Sequence, residues 1–291
     1  MLAAAINLAK SLGVDTRAVY HGISRASLDA AIKEQKLDLL RDRLREIVPD
    51  LSRQYTGGQD AEEYRRYWEI KLRGLHAFQV HGILDALDTI GGGPLDIVDI
   101  GDSSGNHGKY VKALSGDSRV ARFTSVNVDP AAVEKIKRQG GDAHLAKAEE
   151  FDYSAVPSDL YLCLETLEHL TDPTRFLHKL AEEGVADHLL ITVPYRRQSR
   201  FGGSLLDQID TDPAAALTPE SVHIFELSPT DWRRLARFAG YRTVFERIYL
   251  QYPLRGLMRI TAPLWRKLDF EGFLMLLLAR DLRVAKRYTG W

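Results

Sequence analysis

The chain has 291 residues, 45% of them hydrophobic and 27% charged, with a single cysteine and a formal net charge of −1. That is an ordinary globular composition, enough for one large domain with an appendage; the lone Cys163 excludes an internal disulfide, and with no basic leader ahead of Lys10 the expected compartment is the cytoplasm. The longest apolar run, FLMLLLA at 273–279, is too short to cross a bilayer as a helix, and the balanced charge argues against a nucleic-acid partner.

Residues 1–59 read as a helical appendage, with helix-like MLAAAINLAK and SLDAAIKEQKLDLLRDRLREIV before the break QYTGGQ. From Asp60, apolar residues at 64, 67, 68, 72, 75, 78, 83 and 87 predict a long amphipathic helix, opened by Asp60 with Glu63 as a capping pair and ended by GGGP at 91–94. His76 and His81 on that helix read as structural. Strands and helices then alternate: LDIVDI, FTSVNV, a helix from Pro130, a short strand near AHLAK, DLYLCL, a helix from Pro173, HLLITV, a helix from Pro229, TVFERIYL and EGFLMLLLAR. Three helix starts, Asp129-Pro130, Asp172-Pro173 and Ser228-Pro229, pair an N-cap residue with proline at the first helical position. The pattern predicts an α/β fold: a doubly wound, Rossmann-like, seven-stranded and mostly parallel sheet with an N-terminal helical appendage.

The first strand runs into LDIVDIGDSSGNHGKYVKAL at 95–114, where Asp99, Gly101, Gly105 and Gly108 surround the strand tip. A dinucleotide fingerprint would need glycine where Ser103 and Asn106 stand, and no G-K-[ST] follows for a Walker loop. The spacing that fits is D-x-G-x-x-x-G, which resembles motif I of class I S-adenosylmethionine-dependent methyltransferases. The resemblance implies S-adenosylmethionine as cofactor and S-adenosylhomocysteine as product, with the amino-acid end over Gly101, Asp102, Ser103 and Gly105, and Asp99 supporting the loop. Ser103 replaces the usual middle glycine, so its backbone must keep an ordinary φ. Asn127 stands where the family places a ribose-binding acid, and Asp129, also the N-cap before Pro130, is the alternative. AKAEEFDY resembles the segment beside the adenine, with Ala148 and Glu149 at the matching places. DLYLCLETLEHLTDPTRFLHKL followed by HLLITVP looks like the family's fourth strand, helix and fifth strand, with Leu164 and Glu165 on the methionine side. HIFELSPTDWRRLARFAGYRTV resembles the stretch before the sixth strand. The resemblance spans roughly residues 60 to 281, so 60–291 is expected to be the methyltransferase domain.

Methyl transfer needs an acceptor held in line behind the sulfonium carbon with water excluded, and a hydroxyl acceptor also needs a base. His169 and His223 are the candidate bases, with Glu165 beside them. Glu165, Glu168 and His169 form E-x-x-E-H, which resembles the sequence of ubiquinone-pathway O-methyltransferases, where those residues are associated with a divalent metal; on a helix they would share one face. The reading adopted uses no metal and keeps this set as its alternative. Arg73 or Lys71 is expected to reach the cofactor carboxylate, against the plainer reading of a solvated helix face.

The segment PLRGLMRITAPLWRKLDF at 253–270 has a stripe at 254, 257, 258, 261, 264, 265 and 268, apolar but for Thr261, with Arg255, Arg259, Arg266 and Lys267 around it. It reads as a lid or cap insertion over the acceptor pocket, in preference to a basic segment resting on anionic lipid. The excess of basic residues from Asp231 to Trp291, 13 Lys and Arg against 5 Asp and Glu, and YRRQSR at 195–200 both point to an acidic acceptor. The expected function is therefore O-methylation of a small-molecule or saccharide/glycan acceptor. The alternative is a catalytically inactive methyltransferase-like binding module. A base methyltransferase is disfavoured because Leu164-Glu165-Thr166 stands where an N-P-P-Y tetrad would.

Overall fold

In a computed structural model of the protein the described residues are 13, 15–54, 62, 64–116, 118–202, 222–268 and 270–291. The helix read at 1–10 and the Asp60–Glu63 capping pair lie outside them. Two helices, α1 (Thr16–Glu34) and α2 (Asp38–Ile47), precede a π-turn at Tyr64–Trp68 that continues into α3 (Glu69–Ile90). Then follow β1 (Leu95–Ile100), α4 (Asn106–Ser115), β2 (Val120–Asn127), α5 (Pro130–Arg138), β3 (Asp142–Leu145), β4 (Leu160–Leu164), a 3-10 turn at Leu167–His169, α6 (Pro173–Glu183) and β5 (His188–Tyr195). A small ribbon of β6 (Arg200–Phe201) and β7 (Phe225–Glu226), which the sequence pattern did not announce, comes before α7 (Pro229–Ala239), β8 (Tyr241–Leu250), a 3-10 turn at Leu257–Thr261, α8 (Ala262–Leu268) and β9 (Gly272–Arg280).

The main sheet has seven strands in the order β3-β2-β1-β4-β5-β9-β8. The first five run parallel and β9 is antiparallel to both its neighbours. Central strands are buried on both faces, which is why LYLCL and FLMLLLA are continuous apolar runs with no alternation. The chain order reverses between β1 and β4, and the ends of β1, β2 and β4 are brought level by the pairings Ile100 with Val126 and with Cys163. A crevice outside those ends is where a doubly wound sheet places its ligand.

The N-terminal helices share the sheet's own core. Leu28, Ile32, Leu37 and Leu44 belong to the same buried cluster as Ile97, Leu160 and Leu162. The single helix read over 27–48 is broken at Lys36, whose φ is 59°. The break lets the Gln35 amide pair with both backbone groups of Leu250: its Nε2 donates to the carbonyl and its Oε1 accepts the N–H, each at 2.9 Å.

Arg73 corrects the expectation that it reaches a cofactor carboxylate. It is fully buried, and its Nη1 donates to the carbonyls of Leu44 at 3.2 Å and Val48 at 2.7 Å and to the Tyr110 hydroxyl at 3.2 Å. Nη2 donates to the Pro49 carbonyl at 3.3 Å, and Nε to Glu69 at 3.2 Å. One guanidinium thus collects the orphan carbonyls at the end of α2, where a helix terminus has no partners of its own. R73M removes those donors while keeping the volume, and is expected to destabilise the fold by about 3 kcal/mol. Urea unfolding checks this, and a midpoint equal to the parent's would mean that water satisfies those carbonyls.

Candidate functional site

The bend after β1 is set by glycine and tied by side chains. Gly101 has φ 91°, and a Cβ there would lie 2.0 Å from Thr166 Oγ1, so the loop rests against the tip of β4 at a distance only glycine permits. Asp102 is buried; its Oδ1 accepts the N–H groups of Ser104 at 3.0 Å and Gly105 at 2.8 Å, and its Oδ2 accepts the Ser125 hydroxyl at 2.7 Å. Ser103 keeps a negative φ, as required of a residue in the middle glycine's place. Helix α4 then opens at Gly105 in the left-handed region with no side-chain cap, leaving the positive end of its dipole toward the crevice. Gly108 lies inside α4, close against the Phe123 ring.

Asn127 is occupied by the loop itself. Its Nδ2 donates to the carbonyls of Gly101 at 3.2 Å and Asp102 at 2.9 Å, and its Oδ1 accepts the Asp129 N–H at 2.7 Å. Both amide hydrogens are thereby engaged, so the residue favoured for the ribose acts on the loop. Asp129 caps α5 through the Ala131 N–H at 2.9 Å. Ala148 and Glu149 are half-buried, with their carbonyls accepting from Tyr153 at 3.0 Å and Lys179 at 2.8 Å.

Asp99 does not touch the loop; it faces His107 of α4. His107 Nδ1 lies 2.9 Å from Asp99 Oδ2, and its Nε2 lies 3.2 Å from Gln79 Oε1. Both ring nitrogens face acceptors, so the imidazole donates twice and pairs with Asp99 as a cation. Burial works against that charge, but the Asp99 carboxylate outweighs it and holds the His107 pKa above its ordinary value. Burial in turn pushes Asp99 up to about 6, against the pull of His107. Gln79 passes the line on, its Nε2 donating to Thr192 Oγ1 at 3.0 Å.

That line ends at the tip of β4. Glu165 has φ 54°, a left-handed conformation costly for a residue with a Cβ, and its N–H donates to the Thr192 carbonyl at 2.8 Å. Burial raises its pKa, opposed by the Thr192 hydroxyl and by the charge of Lys71. Glu168 is 0% exposed, with no hydrogen-bond partner for either carboxylate oxygen among the described residues. Burial, reinforced by Glu165, pushes it well above the ordinary range. His169 Nδ1 donates to the Val222 carbonyl at 2.8 Å, which fixes the tautomer and leaves Nε2 with the lone pair, 3.8 Å from Glu168 Oε1. Burial lowers the His169 pKa, so the ring stays a neutral base. His223 lies edge-on to it with ring centroids 4.6 Å apart, and stacks on Phe270.

The fold thus brings His223 beside His169 and Glu168, with Leu164 and Glu165 just before them on the chain. Glu168, His169 and His223 place one ligand atom each within 4.8 Å of one another, a nitrogen and oxygen donor set that suits a divalent cation; the set expected from the sequence had Glu165 in the place of His223. Asp99, Asp102 and His107 also cluster, but their partners are internal.

Sequence reading missed Gln54, which hooks onto the loop: its Oε1 accepts Ser104 Oγ at 2.9 Å and Asn106 Nδ2 at 2.6 Å, and its Nε2 donates to Ser103 Oγ at 3.3 Å. Lys135 holds the strand of chain behind it through the carbonyls of Arg53 and Gln54 at 3.1 and 3.0 Å. His107, Gln79 and Thr192 were missed too, and each is a polar residue at a position the apolar periodicity assigns to the core.

The raised values of Glu165 and Glu168 carry a sign. Both lie above the ordinary glutamate value of 4.5, so their contribution to stability is complete below it and is lost as pH rises through the folded-state values. E168Q keeps the shape and cannot ionise. It is expected to match the parent at about pH 5 and to exceed it by on the order of 1 kcal/mol at about pH 8. Urea unfolding at the two pH values measures the gap, and a gap that does not widen with pH would show that Glu168 ionises freely.

Residues 98–182 match the family model of a methyltransferase domain. No curated protein matches the chain by sequence. Among solved structures, a Galdieria sulphuraria protein taken to be a sarcosine dimethylglycine methyltransferase aligns with a TM-score of 0.51 at 13% identity, over 73% of this chain and 88% of its own. The Burkholderia thailandensis 1,6-didemethyltoxoflavin N1-methyltransferase, solved with S-adenosylhomocysteine, aligns with a TM-score of 0.47 at 16% identity, over 70% and 77%. The strand order and the alignment agree on a Rossmann-like methyltransferase fold, within which residues 98–182 match a methyltransferase domain.

Proposed function

We propose that this protein transfers a methyl group from S-adenosylmethionine to a hydroxyl of an acidic small molecule or saccharide. The observation that carries the reading is the His169 Nε2 lone pair facing the buried Glu168 carboxyl, which has no hydrogen-bond partner among the described residues, at the tip of β4 against the loop that holds Gly101. The uncapped end of α4 and the side chain of Asp102's loop suit the amino-acid end of the cofactor, the half-buried Ala148 and Glu149 its adenine, and Asp129 its ribose, since the Asn127 amide is engaged. When bound, that cofactor supplies a methyl group already activated by the sulfonium charge.

The chain's own part is to hold the acceptor and take its proton. His169 receives the hydroxyl proton at Nε2, with Nδ1 anchored on Val222, and the neighbouring carboxyl of Glu168 stabilises the imidazolium as it forms. His223, wedged between His169 and Phe270, fixes the ring plane. An anionic acceptor fits the rim. Arg196 and Arg200 share Glu226, and Arg197 and Arg266 share Glu271, so four guanidinium groups face two carboxylates and positive charge is left over.

The binding-module reading is favoured by one observation: Gln54 already engages Ser103, Ser104 and Asn106. Titration calorimetry with S-adenosylmethionine, S-adenosylhomocysteine and NAD separates the cases. The first two should bind and NAD should not; heat from NAD alone would sink the proposal. With labelled cofactor and a panel of sugar acids and neutral sugars, methylation of the acidic members is expected, and cofactor binding without transfer to any member would favour the module. H169Q should lower kcat by about 10² to 10⁴ while leaving S-adenosylhomocysteine affinity unchanged. The acid limb of the parent's rate profile should fall below pH 6.5, because burial lowers the His169 pKa.

A further inference from the structure

The 251–271 insertion leaves the sheet between β8 and β9 at the edge that carries the site, since Leu250 pairs with Gly272 and Gly272 with Tyr195 at the end of β5. Its apolar stripe does not turn to one side, as a lid over a pocket requires. Trp265 and Thr261 point inward: the Trp265 Nε1 donates to Ser27 Oγ at 2.9 Å, Ser27 Oγ and Thr261 Oγ1 lie 2.7 Å apart, and Trp265 is buried. Glu34 fixes the start of the insertion by accepting the N–H groups of Leu254 and Arg255, each at 2.9 Å. Held this way, the turn presents Leu254, Leu257 and Ile260 outward at 62%, 80% and 69% exposure. Ile23 and Val19, one and two turns before Ser27 on the same face of α1, are exposed as well.

Charge identifies what covers this face. From Gln251 to Leu268 there are three arginines, one lysine and no acidic residue. Arg266 is paired with Glu271, but among the described residues Arg255, Arg259 and Lys267 have no acidic partner. Fully exposed leucine and isoleucine flanked by unneutralised cations is the arrangement that inserts side chains among lipid headgroups while the guanidinium groups meet anionic phosphates. We propose that the insertion docks the protein on an anionic bilayer surface, with Leu254, Leu257 and Ile260 entering the headgroup layer and Arg255 and Arg259 on the lipid phosphates. The inference stands on the surface of the insertion and is independent of methyl transfer.

Sedimentation with vesicles tests it on the full chain, with phosphatidylcholine alone and phosphatidylcholine mixed with phosphatidylglycerol. The parent should pellet with the mixed vesicles, release as salt rises, and stay in solution with phosphatidylcholine alone. L257E/I260E and R255E/R259E should each lower partitioning at least about tenfold; all four residues are exposed, and equal melting temperatures would confirm intact folding. No pelleting with mixed vesicles would overturn the proposal, as would pelleting that both variants retain, which would assign it to other basic residues. A concentration-dependent dimer in size-exclusion chromatography that L257E/I260E abolishes would also overturn it, making a second copy of the chain the occupant.

Discussion

The contact between Gly101 and Thr166 governs the geometry of the site. With no Cβ at Gly101, the bend after β1 and the tip of β4 pack backbone against side chain, and the Thr166 hydroxyl donates back to the Ile100 carbonyl at 3.2 Å. The bend cannot relax away, because Asp102 ties it to the start of α4 and to Ser125 of β2 while the Asn127 amide grips two of its carbonyls. Closing β4 so tightly leaves Glu165 in a left-handed conformation and, after Thr166, sends Leu167–His169 into a single 3-10 turn. That turn folds Glu168 under the chain, where its carbonyl accepts the Ile224 N–H at 2.8 Å and so draws His223 alongside His169. Strain at one residue thus accompanies the juxtaposition of Glu168, His169 and His223.

Two buried acid–base systems flank this contact, and they differ in how their charges are met. Asp99 and His107 compensate each other at 2.9 Å, and Gln79 accepts the second imidazole proton. A buried pair of that kind is a stable structural unit whose breakage leaves an uncompensated charge. Among the described residues no hydrogen bond to a cation is seen at Glu168, and the charge of Lys71, which lies over the rings of Tyr67, Trp68 and Trp265, opposes the rise at Glu165. Desolvation therefore wins over attraction at the second system, and its carboxyls hold protons at a pH where surface glutamates have lost them.

The seven main strands and the three Asp-Pro or Ser-Pro helix starts were legible in the chain because each rests on local rules: apolar runs of strand length, turn residues between them, and capping. Asp129, Asp172 and Ser228 all accept first-turn N–H groups, as their spacing implies. The pairing of His169 with His223 was legible only as two separate candidates, since 53 residues of chain lie between them and the contact depends on how β4 closes. Arg73 misled because a helix position specifies a face and not a partner; the carbonyls it serves belong to Leu44, Val48 and Pro49, and which end of α2 arrives there is a tertiary fact. Asn127 looked like a ligand for the same reason: a polar residue at a strand tip has equal claim to the solvent side and to its own loop, and the bend settled the competition.

The helical segment read as an appendage is part of the machinery at both ends of the crevice. On one side Gln54 and Lys135 clamp the chain leaving α2 to the loop and to α5, so loop geometry and the position of the N-terminal helices are one variable. On the other, Ser27 of α1 anchors Thr261 and Trp265, and Gln35 holds the end of β8 from which the insertion departs. Arg73 joins the two sides through a single guanidinium on the end of α2. Through these bonds the insertion and the Ser103 to Asn106 loop are both tied to α1, α2 and the chain that leaves α2, so the N-terminal helices and the sheet meet at both sides of the crevice.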